Sequence, residues 1–178
     1  RGAPGNAERI AAARKHERAS AFEWNRRVAR LNQKVDRTDW DMTPQTVNAY
    51  YEPTANEIVF PAAILQAPYF NVGFDAAANY GGVGGVIGHE MTHGFDDEGR
   101  DFDGRGALRD WWTAEDGPKF DARAAALAAQ YDTYEPYPGA HVNGKLTDGE
   151  NIADLGGLKI ALDAYHRSLH GKPAPVID

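Results

Sequence analysis

The sequence predicts an α+β fold, predominantly α, with a small β-hairpin or sheet beside a central helix. Three observations carry that expectation. Long stretches rich in Ala, Arg, Glu and Leu recur with helical rather than alternating patterning. Two short β-prone runs, Val47-Asn48-Ala49-Tyr50-Tyr51 and Glu57-Ile58-Val59-Phe60, flank the turn-prone Pro53-Thr54-Ala55-Asn56. The run His89-Glu90-Met91-Thr92-His93 brings its two imidazoles onto one face only if it is helical.

Taken in order, residues 7–33 contain neither Gly nor Pro and read as a helix, followed by a connector over 36–44. The hairpin comes next, and residues 61–80 are mixed, a short helix and a loop. A helix is expected over 79–95 in spite of Gly81, Gly82, Gly84, Gly85 and Gly88, each of which weakens a helix relative to Ala. Close packing of a neighbouring backbone against a buried helix accounts for that glycine content. Residues 96–110 form an acidic loop whose Asp101, Asp103 and Gly104 imitate part of a calcium loop. The template fails at both ends, at Gly99 and Asp110, so a solvated turn is expected. Thr113, with Asp116 three residues on, is a candidate N-cap for a helix through Tyr131. A Pro/Gly-containing loop spans 134–147, and a last helix is expected over 148–170.

The chemistry concentrates at His89, Glu90 and His93. Residues four apart lie one turn apart, so His89 and His93 offer two nitrogens to one Zn²⁺, and Glu90 projects beside the metal as a general base for the activated water. A hydrolytic zinc needs a third protein ligand and one open position. Glu150 in the last helix supplies it, giving a His₂Glu set. Asp154, one turn further, can accept the free ring N–H of a ligating histidine. Either acid alone reads as a solvent-facing carboxylate; with the upstream motif, and Gly156-Gly157 allowing close helix contact, the metal reading is the stronger. One Zn²⁺ per chain follows.

Composition narrows the alternatives. A 178-residue chain of net charge −7, with no basic stripe, is a poor partner for nucleic acid. Cysteine is absent, which excludes disulfides and thiolate-ligated zinc. No apolar stretch approaches the roughly 18 residues of a membrane span.

Four stretches together resemble the neprilysin and endothelin-converting-enzyme family of zinc endopeptidases: Val47-Asn48-Ala49-Tyr50-Tyr51, Ile58-Val59-Phe60-Pro61-Ala62-Ala63-Ile64-Leu65-Gln66, Gly88-His89-Glu90-Met91-Thr92-His93-Gly94-Phe95-Asp96-Asp97, and residues 149–157. The resemblance runs from Val35 to His170. It implies a thermolysin-like catalytic lobe acting on oligopeptide substrates, with His89, His93 and Glu150 as ligands, Glu90 as catalytic base and Asp154 as the catalytic acid residue supporting His89. A carboxylate bonded to a metal-bound imidazole stays ionised, so support rather than literal proton donation is the expected role of Asp154. The resemblance further implies that Asn48 and Ala49, on an edge strand, hydrogen-bond the substrate backbone, an arrangement that β-augmentation makes physically reasonable. By the same resemblance Tyr69 and Val86 line the hydrophobic pocket on the primed side.

The family also carries an oxyanion-stabilising histidine and a substrate-gripping arginine downstream, and a large helical lobe upstream. The expectation is therefore a partial catalytic domain over residues 1–178 whose partners include the missing lobes of its parent polypeptide. His16, His141, His166 and His170 are expected at the surface, not as substitutes. Two other readings stay open: a truncated zinc-binding fragment without activity of its own, and another HExxH hydrolase such as an aminopeptidase, for which no N-terminus-recognising residue is identifiable. The Ala- and Arg-rich composition, with family habit, leans towards an envelope or secreted location.

Overall fold

The computed structural model describes residues 5–176. The chain divides into two units, Arg1–Asp39 and Trp40–Asp178. In the first, α1 (Asn6–Ala29) buries no residue. The Glu8 carboxylate accepts the Gly5 amide at its start (2.9 Å), and Arg26 is bound to both Glu23 (2.7 Å) and Asp39 (2.8 Å) near its end. The helix stops short of the expected residue 33. The amides of Arg30, Leu31 and Gln33 bond carbonyls three residues back, and Asn32 takes φ 66°, so the chain tightens into turns.

The second unit holds the expected hairpin in shortened form. Strands β1 (Tyr50–Glu52) and β2 (Glu57–Val59) pair antiparallel in the register Tyr50↔Val59, Tyr51↔Ile58 and Glu52↔Glu57. Asn48 and Ala49 lie immediately before β1, outside the paired strand on which the resemblance put them. The loop after residue 102 docks on the hairpin tip, with the Asn56 amide donating to the Gly104 carbonyl (3.1 Å). Gly106 has φ 75°, and a Cβ there would lie 1.9 Å from the Thr54 carbonyl oxygen, so only glycine allows this approach. Asp103 turns its carboxylate onto its own loop, accepting the amides of Arg105 (2.8 Å) and Ala107 (3.1 Å), as a turn residue does.

The glycine-rich segment is not one helix over 79–95. It comprises α2 (Ala76–Asn79), a π-helical turn (Tyr80–Gly84) and α3 (Gly85–His93). The cause is a tertiary contact. The Val83 amide donates to the Tyr69 carbonyl (2.8 Å), and a Cβ on Gly82 would lie 2.4 Å from that same oxygen, so the loop before α2 presses against the backbone and widens it. The next helix, α4 (Asp116–Tyr131), begins two residues later than expected, with Glu115 instead of Thr113 at its N-cap, and Thr113 donates its hydroxyl to Asp116 (2.6 Å) in the preceding turn.

The last helix, α5 (Asp148–Ser168), lies against α3, and two glycines let them touch at backbone level. A Cβ on Gly88 would sit 2.8 Å from the Gly157 Cα. The small core, with Ala49, Val59, Pro61, Ile64, Ala153 and Ala161 buried, gathers around this pair and the hairpin. Among the described residues no helix is long and apolar enough to cross a membrane.

Candidate metal centre and cleft

The α3–α5 contact sets one row of polar side chains against another. From α3, His89 and His93 turn their Nε2 atoms towards each other, 3.0 Å apart. From α5, the Glu150 Oε2 approaches both, at 3.3 Å from His89 Nε2 and 3.8 Å from His93 Nε2. Each ring's other nitrogen meets a different carboxylate: His89 Nδ1 lies 2.8 Å from Asp154 Oδ1, and His93 Nδ1 lies 2.7 Å from Asp96 Oδ2.

Those outer contacts fix the chemistry inside. A carboxylate only accepts, so each neutral ring carries its hydrogen on Nδ1 and presents a lone pair at Nε2. Three lone-pair donors then converge with no hydrogen among them, a repulsive arrangement unless a cation sits between them. Their spacing suits a small tetrahedral ion: a metal–nitrogen length of about 2.0–2.1 Å gives ligand–ligand edges of about 3.3 Å. Two imidazoles and a carboxylate, without thiolate, are a set that zinc accepts.

Glu90 also comes near, since His89, Glu90 and His93 can each offer an atom within 4.8 Å of the others. Glu150 is nonetheless the better third ligand, because its oxygen reaches both Nε2 atoms from the facing helix. Glu90 is only 5% exposed, whereas the Glu150 and Asp154 side chains are 71% and 73% exposed. Burial pushes the Glu90 carboxyl above its usual value, against the pull of the neighbouring imidazoles.

The Asp96 carboxylate is a member that sequence reasoning assigned only to the start of an acidic loop. It is 6% exposed, and its Oδ1 accepts the amides of Glu98 (3.0 Å) and Gly99 (2.7 Å) while Oδ2 faces His93. Burial works to raise this carboxyl, but the hydrogen bonds from His93, Gly99 and Glu98 outweigh it and hold it below the usual range. In return the bond to Asp96 raises the His93 pKa. The signal was present as an aspartate three residues after a helix-ending histidine.

Two cavities open on either side of this cluster, and Asn48, His89, Glu90 and Glu150 line both. The first, of about 400 Å³, adds Ala49, His93, Asp96 and Glu98. The second, of about 610 Å³, adds Asp154, Tyr69, Val86 and Leu158. All nine residues singled out in the sequence therefore border one cleft. His16, His141, His166 and His170 are exposed and line neither cavity.

The chain is similar to several known zinc peptidases and their relatives. An endothelin-converting enzyme homolog of Locusta migratoria is 49% identical over 148 residues, covering 83% of this chain and 20% of its own length. Human endothelin-converting enzyme 1 is 49% identical over 144 residues, covering 81% of this chain and 19% of its own. The chain thus spans about a fifth of the length of these curated relatives. Among solved structures, the Mycobacterium tuberculosis zinc metalloprotease Zmp1 in complex with an inhibitor matches with a TM-score of 0.84 and 61% identity, over 86% of this chain and 24% of that one. PepO of Lactobacillus rhamnosis matches with a TM-score of 0.74 and 45% identity, over 80% of this chain and 22% of that one. The sequence model of peptidase family M13 matches residues 48–178, and the chain belongs to that family.

Proposed function

We propose that this segment carries the catalytic centre of a zinc metalloendopeptidase that hydrolyses internal bonds of oligopeptides. One Zn²⁺ per chain would be held by His89, His93 and Glu150, and when bound it supplies a Lewis acid for the scissile carbonyl and lowers the pKa of the attacking water. Glu90, buried and bordering both cavities, takes the proton from that water at its carboxylate and passes it to the leaving amine. Asp154 and Asp96 orient the two imidazoles through their Nδ1 atoms and keep the lone pairs aimed inward. Asn48 and Ala49, beside the unpaired side of β1, bind the substrate backbone, while Tyr69 and Val86 receive a side chain.

The observation that carries this reading is the convergence of the two imidazoles and Glu150 next to the buried carboxyl of Glu90. A purely structural metal has no use for such a carboxyl. In the full-length enzyme, Glu90→Gln should retain about one zinc per chain and lose several orders of magnitude in kcat, because the proton acceptor is gone and the ligands remain. Near wild-type turnover in that variant would remove Glu90 from the mechanism; loss of metal would make it a ligand.

A further inference from the structure

We infer that Glu98 is a specificity-determining residue which favours peptides bearing a lysine or arginine side chain on the side of the scissile bond opposite the Tyr69–Val86 cavity; this deepens the peptidase reading above and rests on it. The two cavities differ in what they offer beyond the shared centre. Around the second, Val47, Ile64, Tyr69, Val86 and Leu158 present an apolar wall. The first carries Glu98; carboxylates line both cavities, but in the second Asp154 is bound to His89. A smaller adjoining hollow of about 270 Å³ repeats the pattern, with Asp96, Asp97, Glu98 and Glu150 and no lysine or arginine.

Most of these carboxylates are already engaged. Asp96 is bound to His93 and two amides, Glu150 faces both imidazoles, and Glu90 is buried. Glu98 is different. It is exposed, and its side chain makes no hydrogen bond or ion pair among the described residues. The nearby basic residues do not neutralise it: Arg100 is bound to Asp121 (2.8 Å), and neither Arg100 nor Lys145 lines either hollow.

Its position is fixed. The Glu98 amide donates to Asp96 Oδ1 (3.0 Å), the same carboxylate that holds His93. The next residue, Gly99, packs so closely that a Cβ would fall 1.7 Å from the His93 carbonyl oxygen. The backbone bearing Glu98 is thus anchored to the backbone bearing a site histidine, and an unpaired negative charge projects from a fixed point on the cleft rim. A cationic side chain entering that half of the cleft meets a complementary field, and an acidic one is repelled.

The test uses the full-length enzyme and N-acetylated fluorogenic peptides, so that no free α-amine can serve as the cation. Paired peptides carry lysine, norleucine or glutamate at each of the two positions N-terminal to the scissile bond. The wild type should favour lysine over norleucine about 3- to 10-fold in kcat/KM at one position, less at high salt, as expected for a partly screened ion pair. Glu98→Gln should bring that ratio close to one, and Glu98→Lys should shift the preference to glutamate. Equal ratios in wild type and Glu98→Gln, or a preference appearing only when the acetyl group is absent, would overturn the inference while leaving the peptidase reading intact. If zinc-loaded wild type cleaves none of the peptides, the peptidase reading falls and this inference with it.

Discussion

Gly157 touches the backbone of His89: a Cβ at Gly157 would lie 2.5 Å from the His89 nitrogen and 2.6 Å from the Gly85 carbonyl oxygen. Neither atom can yield without moving α3. The approach of α3 and α5, and with it the spacing of the imidazoles from Glu150, therefore needs a residue without a Cβ at Gly157 as well as at Gly88. Gly157→Ala should push the helices apart, costing about 1–3 kcal/mol in stability as overpacking does, and should weaken zinc binding as well. A chelator-competition titration beside a thermal melt checks both. Unchanged affinity with an unchanged melt would show that the helices meet elsewhere.

Asp96 and Asp154 each bond the Nδ1 of a different histidine but from different environments, so their variants should separate. Replacing either with alanine should weaken zinc binding by about 10- to 100-fold, the usual effect of losing a ligand's partner. Asp96→Ala should also destabilise the apo protein by about 1–3 kcal/mol, since the amides of Glu98 and Gly99 lose their acceptor. Asp154, on an exposed side chain, should leave apo stability nearly unchanged. Equal melting temperatures for the two apo variants would contradict the role given to Asp96.

The metal motif was legible because it is local. The i, i+4 spacing of His89 and His93, and of Glu150 and Asp154, survives any tertiary arrangement that keeps both segments helical. What was illegible depends on approach from outside the segment. The π-helical turn at Tyr80–Gly84 exists because the Tyr69 carbonyl presses on it, and no periodicity in the glycine run announces that contact. The hairpin was placed correctly, but its three-residue strands are shorter than the β-prone runs, since Asn48 and Ala49 face the cleft instead of a partner strand. Asp96 escaped notice because an acidic, glycine-containing loop is an ordinary solvated feature until its burial is seen.

Asp103 gives a pH-dependent signature away from the metal. Hydrogen bonds from the amides of Arg105 and Ala107 hold its carboxyl below the usual value. A depressed carboxyl contributes stability above its unfolded pKa of about 4, and that contribution is lost as the pH falls through the lower folded value. The Arg105 and Ala107 amide resonances should accordingly shift together, with a midpoint below that of a solvated aspartate. A midpoint at or above about 4 would mean that the loop is not held by this side chain.

The 178-residue segment expressed alone should bind zinc but hydrolyse peptides at least about 10²- to 10³-fold more slowly than the full-length enzyme, the usual effect of lacking one oxyanion donor. Neither cavity is lined by a lysine, an arginine or a histidine other than His89 and His93. Equal turnover by the two proteins would show that the segment is self-sufficient.

Because the proposed ligands come from α3 and α5, zinc would act as a cross-link as well as a reagent. It would close the long stretch between His93 and Glu150, which contains the 103–107 loop, the aromatic contacts of Trp112 with Phe120, and all of α4. Held only by the folded site, zinc would stabilise that state by mass action, by about 4 kcal/mol at a free zinc concentration about 1,000 times its Kd. A chain without a single cysteine would thus possess a reversible staple, opened by chelation instead of reduction. Starvation for metal would then loosen α4 and its flanking loops, and with them the seat of Glu150, before any inhibitor of catalysis was present.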